Sequence, residues 1–297
     1  MKTFEISATS PFNFDLTFKA TPPAAPFEYK NGILKRALRL ESRKLIPIKV
    51  NSIATVEKPI LKITALKNVN ANEKNEIIDK LTWFFCLDRD LSKAYVLMDK
   101  DPVLSWIKKR LYGCKPWTVL TPFEGIVDSI IFQQISIWAA FAMMQELVKK
   151  LGEKVVVNGE IFYEFPSIET LANTNIKSLK NCKLSRNKAA YIKNVANKII
   201  DGELDIEKLQ NSSTEEALEI LKKLKGIGTW TAELILAAGL KRWGIIPADD
   251  LGIRRALSKF YFKGKVVTGQ DAREFSKQWG DYKWLIIYYL LVASERL

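Results

Sequence analysis

At 297 residues, 47% of them hydrophobic, the chain can bury a sizeable core and more naturally makes two domains than one. Its 46 Lys plus Arg against 33 Asp plus Glu give a net charge of +13 with no histidine, an excess that suits a polyanionic partner, most simply nucleic acid, the competing reading being an ordinary solvated lysine surface. Three scattered cysteines, Cys86, Cys114 and Cys182, exclude a disulfide framework and a zinc or iron–sulfur ligand set, and fit a reducing compartment.

In chain order, "MKTFEISATS" lacks the apolar core of a signal peptide. Up to about residue 70 the chain alternates in short stretches, "FEISA", "FDLTFKA", "ILKRALRLES", "KLIPIKV" and "PILKITAL", with Asn31-Gly32 available as a hairpin turn. This predicts an antiparallel sheet. From about Asn72 the period becomes helical, beginning with "EKNEIIDKLTWFF", and the remaining strand signal is a short pair around "KVVVNGEIFYEF". The fold class is therefore α+β: an antiparallel sheet domain with a helix over residues 1–80, then a mostly helical body over 81–297, with a soft boundary and no tandem repeat.

Within the helical body, Ser213 and Glu216 make a capping box, and Ala217, Leu218, Leu221 and Leu224 recur at helical spacing. The stretch "LKGIGTWTAELI" then sets Gly226 and Gly228 before a second apolar helix. Glycine permits positive φ and leaves amides uncovered, so the pair predicts a tight turn feeding a helix N-terminus that suits an anion; a plain C-cap between two packed helices is the alternative. The unit is helix, hairpin, helix over about 214–241. In "IIPADDLGIRRAL", Pro247 breaks the chain and Asp249 with Asp250 precede a resumed helix. Either carboxylate can cap, which leaves the other free. The last apolar run, Trp284 to Ala293, is too short for a bilayer, so no membrane contact is expected.

The segment "LKGIGTWTAELILAAGLKRWGIIPADDLGIRRAL" resembles the helix-hairpin-helix plus Gly-Pro-Asp (HhH-GPD) signature of base-excision DNA glycosylases, including the separation of Gly226 from Asp250. Within that superfamily it is most similar to the 3-methyladenine DNA glycosylase II group. "SIIFQQISIWAAFAMMQEL" resembles the helix with the DNA-wedging loop, and "LSRNKAAYIKNVANKI" the helix that follows. The resemblance spans roughly residues 80 to 290; the sheet before it matches only in pattern.

The resemblance implies roles. Gly226, Ile227 and Gly228 would present amides to a DNA phosphate, with a bound monovalent cation, Na or K, at the hairpin backbone. No other metal or cofactor is implied. Lys222, Lys223, Lys225, Lys241 and Arg242 flank the unit as further phosphate contacts or as solvated charges. Asp250 takes the catalytic aspartate's place, with Asp249 as runner-up. Gln134 takes the wedge position, Gln133 competing, and a structural amide is the plain alternative. Relatives that also cut the strand carry a lysine two residues after the second hairpin glycine; here that residue is Trp230, so hydrolysis by water is expected. An indole at the pocket suits a cationic base, by ~0.5–2 kcal/mol, though a core role also fits.

The expected function is a monofunctional glycosylase of base excision repair that flips alkylated purines such as 3-methyladenine out of double-stranded DNA and hydrolyses the N-glycosidic bond. A glycosylase for oxidised or deaminated bases, such as 8-oxoguanine or hypoxanthine, stands second. A non-catalytic DNA-binding protein stands third, with "PADD" against it. The expected protein is a monomer, cytoplasmic and nucleoid-associated in a prokaryote, nuclear in a eukaryote.

Overall fold

The computed structural model describes residues 1–296. Strands β1 (Lys2–Ser7), β2 (Glu28–Lys30), β3 (Ile33–Arg39), β4 (Leu45–Ser52) and β5 (Ile60–Ala65) form an antiparallel sheet in the order β1-β5-β4-β3-β2. Asn31 and Gly32 both have positive φ, 52° and 75°, as the two-residue β2–β3 turn requires. The segment "FDLTFKA", expected as a strand, is instead helix α1 (Phe14–Ala20). Asn13 caps it through Leu16 N, and Phe14, Thr17 and Phe18 bury one helical face, a pattern that seven alternating letters hide.

Helix α2 (Ala71–Phe85) opens on an Asn70–Glu73 capping box and lays Ile77, Leu81, Phe84 and Phe85 on the sheet. The core of the sheet unit runs to Leu87. Its boundary therefore follows α2 and does not cut it at residue 80.

Two helical cores follow. Helices α3 (Ser92–Asp99) and α4 (Pro102–Arg110) precede α5 (Pro122–Phe132) and α6 (Ile137–Leu151), a hairpin of β6 (Lys154–Val157) and β7 (Glu160–Tyr163), then α7 (Ile168–Asn173), α8 (Ile176–Lys180), α9 (Arg186–Ile200) and α10 (Ile206–Asn211). Next come α11 (Thr214–Lys222), α12 (Thr229–Leu234) running into a π turn over Ile235–Gly239, α13 (Leu251–Phe260), α14 (Gly269–Ser276), a 3-10 turn over Lys277–Tyr282 and α15 (Lys283–Arg296). One core gathers α5 to α12 around Ile130, Met144, Ile192 and Leu236; the other gathers α3, α4 and α13 to α15 around Leu104, Ile253, Leu257 and Tyr289. The chain crosses from the first to the second between α12 and α13, and that crossing carries the Pro-Ala-Asp-Asp segment. The run Trp284 to Ala293 lies in α15, largely buried; no helix among the described residues is long and apolar enough to cross a membrane. All three cysteines are free and buried.

The sheet is locked to the helical body by charge. Arg36 on β3, almost fully buried, pairs with Glu124 on α5 (Nη2–Oε1 2.5 Å) and with Glu164 after β7. Burial opposes the guanidinium's charge, but the two carboxylates outweigh that and raise its pKa.

Candidate active site

The capping box of Ser213 and Glu216 starts α11, and α11 ends in the hairpin. Gly226 has φ +88°, and a Cβ there would lie 2.2 Å from the ring of Tyr191 on α9, so only glycine fits both backbone and neighbour. Gly228 departs from the expectation of positive φ. Its φ and ψ of −90° and −177° are extended, and it is the N-cap of α12, with nothing within 4 Å of an added Cβ. With no side-chain cap on α12, its first amides stay open at an exposed glycine, the arrangement that suits an anion. Ile227 between the glycines is buried in the helical core and pins the turn from beneath.

The flanking cations divide. Lys222, Lys223 and Lys225 are exposed. Lys241 is buried, bonded to Asp88 (3.1 Å) with its ammonium 4.4 Å from the centroid of the Trp83 ring, and Arg242 donates to the carbonyls of Leu209, Gln210 and Ser212. These two charges bind their own chain, so for them both expectations, a phosphate contact and a solvated charge, are corrected.

The turn between α5 and α6 lies against this hairpin. Gln133 points inward: its Nε2 donates to Gly226 O (2.8 Å) and Thr231 Oγ1 (3.0 Å). Gln134 is exposed with φ +55°. Of the two amides, Gln133 thus acts as the tie and Gln134 stands free at the tip. Lys188 on α9 anchors the last turn of α5, donating to Ile131 O at 2.7 Å. Deeper down, α5 and the π turn approach so closely that a Cβ on Gly125 would stand 3.2 Å from Gly239 Cα.

Asp250 is the N-cap of α13 and is half-buried. Its Oδ1 accepts from Gly252 N (2.8 Å) and Ile253 N (3.1 Å), while its Oδ2 accepts from Trp230 Nε1 (3.2 Å). The indole and the carboxylate, 20 residues apart in sequence, share one hydrogen bond. Three N–H donors fix the carboxylate's orientation and leave lone pairs on Oδ2 for a fourth partner. Asp249 is exposed, 4.0 Å from Arg273 Nη2.

Behind this pair lies a contact that sequence reading missed. Glu233 on α12 is buried against Arg273 on α14 (2.5 Å), and burial raises its pKa, with Arg273 drawing it part of the way back. The signal was one acid within the apolar run "TAELILAAG", since a buried carboxylate needs a counter-charge.

The pattern defining the HhH-GPD superfamily of base excision DNA repair proteins matches residues 127–281, more than half of the chain. The chain belongs to that superfamily. The matched residues hold every element of the HhH-GPD site described above, from the end of α5 to the 3-10 turn. The chain is similar to a 3-methyladenine DNA glycosylase structure from Archaeoglobus fulgidus, with 31% identity and a TM-score of 0.88 over 98% of each chain. It is also similar to the DNA-3-methyladenine glycosylase of Bacillus subtilis, 26% identical over 89% of this chain and 87% of that protein. An 8-oxoguanine glycosylase/lyase from Clostridium acetobutylicum in complex with DNA, 22% identical with a TM-score of 0.75 over 99% and 98% of the two chains, shares the HhH-GPD fold.

Proposed function

We propose that this HhH-GPD protein is a monofunctional DNA glycosylase that acts as a monomer on duplex DNA, flips out alkylated purines such as 3-methyladenine and hydrolyses their N-glycosidic bond. The observation that carries this reading is the hydrogen bond between Trp230 and Asp250: the position where strand-cutting relatives hold an amine is an indole, and it touches the carboxylate. Relatives at 26% and 31% identity that are named for 3-methyladenine support the choice of base.

The chemistry follows from charge. As the N-glycosidic bond lengthens, positive charge builds on the sugar, and a fixed carboxylate at Asp250 stabilises it and orients the attacking water. A cationic methylated purine is already an activated leaving group, and the electron-rich face of Trp230 favours that charge. The hairpin of Gly226, Ile227 and Gly228 grips a phosphate without reading sequence, which suits inspection of any DNA. Gln134 fills the vacated stack. A monovalent cation at the hairpin fits carbonyl donors: Leu224 O and Gly226 O, each engaged once by Ile227 N and Gln133 Nε2, keep a second lone pair.

The test is a panel of duplexes, each with one lesion: 7-methylguanine, 3-methyladenine, hypoxanthine or 8-oxoguanine. Free base is measured by chromatography, and strand breaks are counted with and without alkali. Release of methylated purines with breaks only after alkali is the expected result. Release confined to 8-oxoguanine, or breaks without alkali, rejects it.

A further inference from the structure

We infer that Trp138, on the first turn of α6, stacks on the strand opposite the damaged nucleotide, beside the gap that base flipping leaves. The inference rests on the proposed glycosylase function and adds to it a contact with the undamaged strand.

Trp138 is 66% exposed, the most exposed of the tryptophans among the large hydrophobic residues that face solvent. The other strongly exposed tryptophan, Trp106, is covered by its neighbour Arg110, whose guanidinium lies 4.1 Å from its ring centroid. Trp138 has no such cover. Its ring instead meets Phe141 edge-on at 6.1 Å and 89°, and Phe141 meets Phe132 at 5.9 Å and 79°. Phe132 ends α5 and Phe141 lies one turn along α6, so the indole stands on an aromatic buttress from both helices of the turn. Folding has thus left a large flat surface in water and propped it there. An aromatic face so held fits a flat apolar partner, and a nucleobase is one.

The turn's geometry argues for the partner and the strand. Reading along the chain, Gln133 is tied to the hairpin, Gln134 stands free at the tip, Ser136 caps α6 through Ala139 N, and Trp138 follows. In chain order the free amide thus lies between the residue tied to the hairpin and the indole. If the hairpin grips the damaged strand and Gln134 enters the stack, the indole beyond it meets the other strand. The first turn of α6 carries no acid to repel a phosphate backbone, and the chain's net charge of +13 favours DNA over an acidic-poor protein partner.

The experiment measures affinity of the wild type, Trp138→Ala and Trp138→Phe for a stable abasic analogue placed in a duplex, for the same analogue in a single strand, and for an intact duplex. Because the side chain is exposed, the variants should melt with the wild type. The expected result is that Trp138→Ala weakens binding to the abasic duplex by about 5- to 150-fold, the range for loss of one base–aromatic stack. Single-strand binding should be unchanged, and Trp138→Phe should keep most of the affinity. Equal loss on duplex and single strand overturns the assignment to the opposite strand, and no loss on either overturns the contact. A wild type with no preference for the abasic duplex over the intact one rejects the glycosylase reading itself; a wild type with that preference beside an unaffected Trp138→Ala rejects this inference alone.

Discussion

Asp250 and Trp230 are each the other's hydrogen-bond partner, so their substitutions separate orientation from chemistry. Asp250→Asn keeps the oxygen that caps α13 and removes the charge. It should retain DNA binding and lose ~10²–10⁴-fold in single-turnover base release, the usual weight of a positioned acid or base. Asp249→Asn should cost far less, because its carboxylate is exposed and 4.0 Å from its nearest cation. Full activity of Asp250→Asn would remove the carboxylate from the mechanism. Trp230→Ala removes both the aromatic face and one donor to Oδ2. Release of cationic 7-methylguanine should fall further than release of neutral hypoxanthine, by the factor a cation–π contact of ~0.5–2 kcal/mol gives. Equal loss on the two bases would make Trp230 an orienting group alone. At this scale the helix start at Asp249-Asp250 was legible, because a proline before it and a helix after it are local signals; those signals left open which carboxylate caps, and the structure gives that place to Asp250. The sequence was silent on Gln133 against Gln134: the adjacent amides differ in the sign of φ, and the partners around them, Lys188 at the end of α5 and Tyr191 against the hairpin, lie more than fifty residues away.

Among the elements, the hairpin's two glycines do different work. Gly226 is required by its φ of +88° and by the Tyr191 ring, so Gly226→Ala should lower stability as well as function. Gly228→Ala meets open space and an ordinary backbone angle, so the melting temperature should hold. A methyl group at the uncovered N-cap should still weaken binding to lesion-containing and undamaged duplexes alike. This would be seen by fluorescence anisotropy beside a thermal melt. Unchanged affinity for both duplexes would remove the hairpin from the phosphate contact. The elements also show where periodicity misleads. "FDLTFKA" satisfies a two-residue alternation for all seven letters, and only the Asn13 cap and its packing under the sheet make it a helix. Lys241 and Arg242 look from sequence like open charges, yet each is consumed by distant partners, Asp88 and the carbonyls ending α10. The sheet and the hairpins at Asn31-Gly32 and Asn158-Gly159 are legible because turn chemistry sets them locally.

For the whole molecule, the lock between sheet and helices concentrates acid. Arg36 serves Glu124 and Glu164, and Asp128, one turn further along α5, leaves Oδ1 buried without a partner among the described residues. Burial, and then the charge of Glu124, pushes the pKa of Asp128 well above the usual carboxylate range. A folded-state pKa above the unfolded one means that folding takes up a proton between the two values. Stability from this group is therefore present at acid pH and is lost as pH rises through the raised pKa. Asp128→Asn should raise the melting temperature at pH 7.5 and change it little near pH 4. An equal effect at both pH values would show that the carboxyl is not protonated on folding. Arg36 stands at the centre of this lock, and nothing in its alternating strand marked it as other than a surface charge.

The central claim, hydrolysis by a carboxylate with no participating amine, is tested most directly by borohydride during turnover. The wild type is mixed with a duplex bearing one 7-methylguanine and excess borohydride, then resolved on a denaturing gel beside a measure of free base. Full base release and no covalent protein–DNA band are expected, because the residue two after Gly228 is Trp230 and not a lysine. A trapped complex with the wild type, through Lys225 or any other lysine, would contradict it.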